Sequence, residues 1–241
     1  MSMLTAILQA LLNGVMTGTL IAIPAVGFTA IFAVLRYPSF AVAAYTTIGA
    51  FAGWYTNARF GIGVLPGLLI AAIVAGAIGV LAEDKILAPL RPSGALTTAI
   101  GSIALNLVLE NVVRFGFGND LRGFDLPLYP DMRFAGLRIG AQQIQNLILA
   151  VIVMALVFAF LRYTRFGRAM RAVADNADLA RLKGIDPRRI AMVAVALGAA
   201  LAGIGGYVSA VPASPLLTTT VVPARTAQAL ASEIGSLVLS G

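Results

Sequence analysis

Of 241 residues, 59% are hydrophobic and only 11% are charged, at a mean hydropathy of +0.92 and a net charge of +7. A soluble domain carries about 25% charged residues, so this supply would leave a water-facing surface uncovered, whereas lipid needs no such cover. The chain contains no Cys and no His, which excludes disulfides, thiolate chemistry and imidazole-based metal or triad sites; no metal site and no catalytic constellation is expected, and the chain does not read as an enzyme.

About 20 apolar residues cross a bilayer. Residues 3–35 predict a first helix, long enough for one span plus extra turns, with Pro24 and Gly27 as kink points. It has no basic leading region and outlasts a signal-peptide core, so it is expected to be a retained helix. Further runs cover 38–57, 62–82 (ending at Glu83, Asp84 and Lys85), 95–115, 141–161 and 189–211, and a last apolar stretch, 226–241, is too short to span. Segment 116–140, with Pro127 and Pro130, predicts an ordered external loop with room for a short surface helix. The expected fold is an all-α, polytopic bundle of about six spans in a single domain, 1–241. The spacings Gly14 to Gly18 and Gly49 to Gly53, and the Gly-rich run 198–206, predict close helix packing.

Charge orients the bundle. Arg162, Arg165, Arg168, Arg171, Arg181, Lys183, Arg188 and Arg189 fall in one loop, 162–189, opposed only by Asp175, Asp178 and Asp186. Eight cations against three carboxylates leave it at net +5, and the positive-inside rule makes it cytoplasmic. Arg36 and the loop 83–94 then lie on the same inner side, with 57–61 and 116–140 outside. Inner segments hold eleven Lys or Arg; outer ones hold Arg59, Arg114, Arg122, Arg133 and Arg138, balanced by Asp120, Asp125 and Asp131. Topology accounts for the basic excess better than nucleic-acid binding does, so no nucleic-acid partner is expected. The partner on all sides is membrane lipid.

The loop 162–189 has a pattern of its own. On one helix from Arg168 to Lys183, the residues Arg168, Arg171, Asp175 and Asp178 form a polar face. Met170, Val173, Ala177 and Ala180 form an apolar stripe of the same spacing. Arg171 with Asp175, and Asp178 with Arg181, are spaced for ion pairs worth about 0.2–0.5 kcal/mol each. Gly167 predicts a break from the preceding span, and Gly184 a left-handed position after the helix. Asp186 and Pro187 predict the N-cap and first turn of the next span. Such a helix either anchors topology or docks into a soluble partner; the small Ala169, Ala172, Ala174 and Ala177 favour docking.

The stretch Arg162 to Asp175, the Lys183-Gly184-Ile185 end and the helix GAALAGIGGY at 198–207 closely resemble the cytoplasmic coupling loop of permease subunits in branched-chain amino acid-type ABC importers. LLNGVMTGTL at 11–20 resembles that family's first helix. LAPLRPSGALTTAIGSIALNLVLEN at 87–111 resembles its loop and span around an A-I-G motif, so the resemblance covers residues 10–211. It implies an ATP-driven importer in the bacterial cytoplasmic (inner) membrane. A pair of homologous permeases, expected to be a heterodimer, would form the path. Cytoplasmic ABC ATPase subunits would carry the ATP and Mg²⁺, and an external substrate-binding protein would deliver the solute. This chain has no P-loop, since neither Lys85 nor Lys183 sits in one, so no cofactor is expected in it. The resemblance makes Gly167, Arg168, Arg171, Asp175, Asp178 and Gly184 the coupling-helix residues. Relatives handle branched-chain amino acids, urea or aromatic acids, and hydrophobic amino acids are the first expectation.

A charge at mid-bilayer costs about 2.5–3.5 kcal/mol, so polar groups inside the spans call for a reason. Asn106 and Glu110 share a face of the fourth span beside Asn111, and Asn13 and Thr17 pair likewise in the first. These five either line a translocation path or serve structure, Glu110 pairing with Arg114 and the Asn side chains stitching helices. Two departures from the family pattern bear on substrate. YPSFAVAAY at 37–45 keeps Ser39-Phe40-Ala41 of an N-F-A-H-G-like motif but replaces its His-Gly with Val42-Ala43, and Glu110 stands where the family has Gln. Relatives also continue past LVLSG with further spans, so the chain is expected to be C-terminally truncated. The alternatives are a stand-alone secondary transporter or channel, for which only Glu110 supplies an intramembrane charge, and a non-transporting membrane scaffold.

Overall fold

Eight helices in chain order account for nearly all of the described residues. The computed structural model describes residues 3–60, 64–118, 132–134, 137–139 and 141–220, with side chains within 7–59, 65–118 and 144–210. The helices are α1 (Met3–Leu35), α2 (Val42–Phe60), α3 (Val64–Ala82), α4 (Ala95–Phe117), α5 (Ala141–Tyr163), α6 (Arg165–Asp175), α7 (Ala177–Leu182) and α8 (Pro187–Thr220). Two short strands, β1 (Met132–Phe134) and β2 (Leu137–Ile139), pair antiparallel with Arg133 opposite Arg138. They are the one departure from all-α among the described residues. Most of the expected outer loop, with Arg122, Asp120, Asp125, Asp131, Pro127 and Pro130, lies outside the described residues, as does 226–241.

Five stretches are long and apolar enough to cross a bilayer: Ile7–Leu35, Leu65–Ser93, Ala95–Phe117, Ile144–Tyr163 and Pro187–Ala210. The expectation was about six. The difference is α2, which forms over the predicted second run but carries Thr46, Thr47, Thr56 and Asn57 among its apolar residues. Its Thr hydroxyls bond to carbonyls one turn back, Thr46 to Val42 at 3.0 Å and Thr56 to Ala52 at 2.8 Å. Internal bonding of this kind makes a polar helix tolerable inside a bundle. The chain is a multi-pass membrane protein with α2 packed among its spans.

α8 is the axis. Buried residues make up 67% of its most apolar window, against 22% for α1 and for α5. It packs against α1, α2 and α3 together, while α5 rests on α1 and α4 on α2. Lipid is as apolar as a Leu side chain, so burying Leu gives little drive here, and close backbone approach supplies the attraction instead. The Gly-rich run 198–206 provides that approach. A Cβ on Gly49 would collide with the backbone of Gly203, and one on Gly206 with the Thr46 carbonyl. Gly27 meets Gly198, and Gly53 abuts the fully buried ring of Tyr207. α1 runs unbroken through Pro24 and Gly27, the expected kink points; Pro24 instead packs on Gly205. The Gly49 to Gly53 spacing is thus a contact, whereas Gly14 and Gly18 have nothing within 4 Å and join no packing inside this chain.

The two ends differ in chemistry. At one end Phe117 of α4 lies 5.2 Å from Phe51, 6.4 Å from Trp54 and 6.1 Å from Tyr55 of α2, ring centre to ring centre. Aromatic clusters of this type suit a membrane interface. At the other end gather the C-terminus of α1, residues 83–93, α6, α7 and the start of α8, the segments assigned to one side from charge alone. The segment 83–94, expected as a loop, is helical: a π-helical turn over Glu83–Leu87 and a 3₁₀ segment over Ala88–Ser93 carry α3 onward to Gly94.

Candidate functional site

α6 and α7 form a two-helix cover over the charged end of the bundle, and local chemistry sets each boundary. Thr164 starts α6: its hydroxyl accepts from the Gly167 N–H at 3.0 Å and donates to the Phe160 carbonyl. Gly167 therefore lies inside α6 and does not break the chain out of the fifth span. It is required there because a Cβ would strike the Leu161 backbone. The single helix expected from Arg168 to Lys183 is two helices. At Asn176 the backbone is extended, and the side-chain oxygen accepts from the N–H groups of Asp178 and Leu179 at 3.0 Å each. An Asx cap of this kind competes with helix continuation.

Two signals at the far boundary hold as expected. Gly184 adopts φ +80°, and a Schellman pattern closes α7, Ile185 N–H to Ala180 carbonyl at 3.0 Å and Gly184 N–H to Arg181 carbonyl at 3.0 Å. Asp186 caps α8 through the Arg188 N–H at 2.9 Å, with Pro187 as its first residue. Replacing Asn176 with Ala is expected to weaken the α7 start by about 1 kcal/mol. Amide hydrogen exchange at Asp178 and Leu179 should then quicken roughly fivefold; unchanged exchange would mean the cap does not hold the break.

The inner face of this cover is apolar. Met170, Val173 and Ala180 are buried against Ile190 and Ala194 of α8, with Val34, Leu35 and Phe160 around them. Each such side chain contributes about 1.5–3 kcal/mol when removed from water. Ala169 and Ala172, expected to admit a partner, pack against this same cluster. Ala177 belongs to the predicted apolar stripe but is exposed as the first residue of α7, lining the cleft under the cover. Arg168, Arg171 and Asp175 on α6 and Asp178 on α7 are exposed, and Arg181, also exposed, borders the same cleft. Among the described residues neither Arg171–Asp175 nor Asp178–Arg181 closes into an ion pair. On α7, Leu179 and Leu182 are exposed to 56% and 85% beside Asp178, and Phe166 at the start of α6, one turn before the buried Met170, is exposed to 53%. Sequence reasoning passed over all three, since a single helix from Arg168 to Lys183 leaves out Phe166 and gives Leu179 and Leu182 no face of their own. Large exposed apolar side chains beside charged ones make a surface suited to a protein partner.

Under the cover lies a cleft of about 550 Å³, lined by Leu35, Asp84, Arg91, Val173, Arg181 and Arg188 among others. Glu83, read from sequence as the polar end of a run, is only 1% exposed. It accepts from the Tyr37 hydroxyl at 2.8 Å and from the Arg91 guanidinium. Burial first, and the Glu83 charge second, push the Tyr37 phenol above its ordinary pKa, so it remains a donor. Asp84, next along the π-helical turn, binds Arg188 of α8 at 2.8 Å. Phe40 donates its N–H to the Ser102 hydroxyl at 3.0 Å, so the YPSFAVAAY stretch and the A-I-G stretch meet. No spacing rule joins Tyr37, Glu83 and Arg91, which explains why the cluster escaped the sequence.

The five candidate path residues fall into two groups. Asn106 donates to Glu110 at 3.4 Å within α4, and its own Oδ1 is buried without a hydrogen-bond partner. Asn111 is exposed and bonds the Leu107 carbonyl at 2.7 Å. Glu110 does not ion-pair with Arg114. On α1, Asn13 accepts from Gln9 at 3.2 Å, and both Asn13 and Thr17 are exposed. α4 packs on α2 while α1 packs on α8 and α5, so the two groups sit in different packings.

Comparison with known proteins places these features in a family. Residues 10–235 match the family model described as branched-chain amino acid transport system / permease component. The chain is 30% identical over 214 residues to the high-affinity branched-chain amino acid transport system permease protein LivH of Salmonella typhimurium, covering 83% of this chain and 69% of the relative. LivH of Escherichia coli K12 is 29% identical over 221 residues, with the same coverage. The permease protein BraD of Pseudomonas aeruginosa is 28% identical over 210 residues, covering 82% of this chain and 68% of the relative. No solved structure matches the chain.

Proposed function

This chain belongs to the branched-chain amino acid transport system permease-component family, and on that basis we propose that it is the membrane path subunit of an ATP-driven importer for branched-chain or other hydrophobic amino acids, or similar small polar solutes. A second, homologous permease completes the path, ABC ATPase subunits holding ATP and Mg²⁺ dock from the cytoplasm, and an external binding protein delivers the solute. The membrane is the bacterial cytoplasmic (inner) membrane. The observation that carries this is the α6–α7 cover: an apolar inner face fixed to three helices, and exposed Leu179 and Leu182 on α7 beside the exposed charges Arg168, Arg171, Asp175 and Asp178. A loop that only fixed topology would need the cations, not the exposed apolar groups beside them.

The residues carrying the coupling are Arg168, Arg171, Asp175 and Asp178 on the outer face, with Gly167 and Gly184 shaping it. Asn106, with its unpaired buried Oδ1, Glu110, Asn111, Asn13 and Thr17 are the polar groups offered to the solute. An ATPase subunit is expected to co-purify with this chain from cells expressing the neighbouring transport genes. The double variant R171A/D175A should lose it while still inserting in the membrane. Uptake that persists without ATP, with the ATPase absent from the purified parent complex, would favour a secondary transporter instead.

A further inference from the structure

Arg36 is the residue whose geometry the transport reading leaves unused. It ends α1 at φ +60°, the only non-glycine with positive φ among the described residues. Its own N–H closes the last turn of α1 on the Phe32 carbonyl at 2.9 Å. Its guanidinium crosses to the cover and donates to the Ala174 carbonyl at 2.5 Å and the Asp175 carbonyl at 3.1 Å. These are carbonyls at the C-terminus of α6, left without partners by the break at Asn176 and carrying the negative end of the helix dipole. The next residue in the chain, Tyr37, is buried on Glu83, and three residues on, the Phe40 N–H is held by Ser102 of α4. One side chain thus joins the end of α6 to the turn on which α1, α2, the π-helical turn and α4 converge.

We infer that Arg36 is a positioning residue for transport, a strut that carries displacement of α6 into the α1–α2 turn. The inference rests on the importer reading for the source of that displacement, but the strut itself is a property of this chain. The start of α6 is held to α5 by Thr164 and by the close approach of Gly167 to Leu161, and the middle packs on α8 through apolar Met170 and Val173; at the far end of α6 the polar tie is Arg36. The guanidinium, with two bonds to consecutive carbonyls, fixes direction as well as distance. Movement of α6 by a partner must then move Arg36, or break both bonds.

The test uses the absence of cysteine in the chain. Cysteines placed at Leu179 and Ala43, both exposed, carry spin labels, and their distance distribution is measured by pulsed electron resonance in nanodiscs. Arg36→Gly removes the side chain while suiting the positive φ, so no backbone strain is added. The Gly variant is expected to broaden the distribution, and Arg36→Lys to restore part of its sharpness. In the complex assembled with ATPase, second permease and binding protein, solute moved per ATP should fall about tenfold in the Gly variant, the factor given by one lost charge-assisted hydrogen bond. ATPase association should persist. An unchanged distance distribution, or an unchanged ratio of solute to ATP, overturns the strut. If the parent complex shows no ATP-driven uptake while the Gly variant still broadens the distances, the importer reading fails and the strut stands.

Discussion

Replacing Glu83 with Ala is expected to lower the stability of the chain by about 3 kcal/mol, the lower end for breaking a buried ion pair. The carboxylate is 1% exposed and serves two donors, the Tyr37 hydroxyl at 2.8 Å and the Arg91 guanidinium. Its removal leaves the Arg91 cation and the buried Tyr37 phenol without their acceptor. The Arg91 side chain is 32% exposed, so it regains part of its hydration, which holds the loss to the lower end of the range. For a chain of this size, about 3 kcal/mol corresponds to a fall of roughly 6–12 °C in thermal midpoint. Glu83→Gln preserves shape and can still accept from Tyr37. It should cost about half as much, since a neutral acceptor is roughly half as strong as a charged one. Thermal unfolding in detergent orders the three proteins; a Glu83→Ala midpoint equal to the parent's would show that the cluster holds nothing.

Gly206→Val is expected to be of similar size, about 3 kcal/mol at the upper end for overpacking. A Cβ there would meet the Thr46 carbonyl oxygen inside α2, and a helical backbone carbonyl cannot turn aside as a flexible side chain would. The helices must separate, and with them the packing of α8 on α2. Gly14→Ala is the control, because nothing lies within 4 Å of that position. It should gain about 0.8–1.0 kcal/mol of helix propensity. Monodisperse yield and thermal midpoint distinguish them: a Gly206→Val protein as stable as the parent would refute close backbone approach as the source of bundle stability.

Membrane class and helix positions were open to direct inspection of the residues. Residues 3–35, 95–115 and 141–161 predict α1, α4 and α5 to within two residues at each end, because a bilayer demands a long apolar run whatever its neighbours. Charge bias alone grouped Arg36, 83–94 and 162–189 on one side, where the structure gathers them. Local caps were equally readable at Gly184, Asp186 and Pro187, since a cap's partners lie within a few residues of it. The break at Asn176 was missed because the helical periodicity of the flanking residues continues across it. An Asn in that context favours helix or cap by small margins, and packing of Met170, Val173 and Ala180 on α8 tips the balance.

Composition, spacing and charge by themselves therefore determined helices in lipid, a gathering of the basic segments at one end of the bundle, and a basic loop of unusual pattern. The tertiary structure alone decided which helix stands at the centre, where Glu83 goes, and what Arg36 holds. Those outcomes depend on contacts between residues 46 to 160 positions apart, Tyr37 with Glu83, Arg36 with Ala174, Gly206 with Thr46, or Gly49 with Gly203. No periodicity records such pairs, because they arise from how close two helix backbones can come, and that is settled only when both are present.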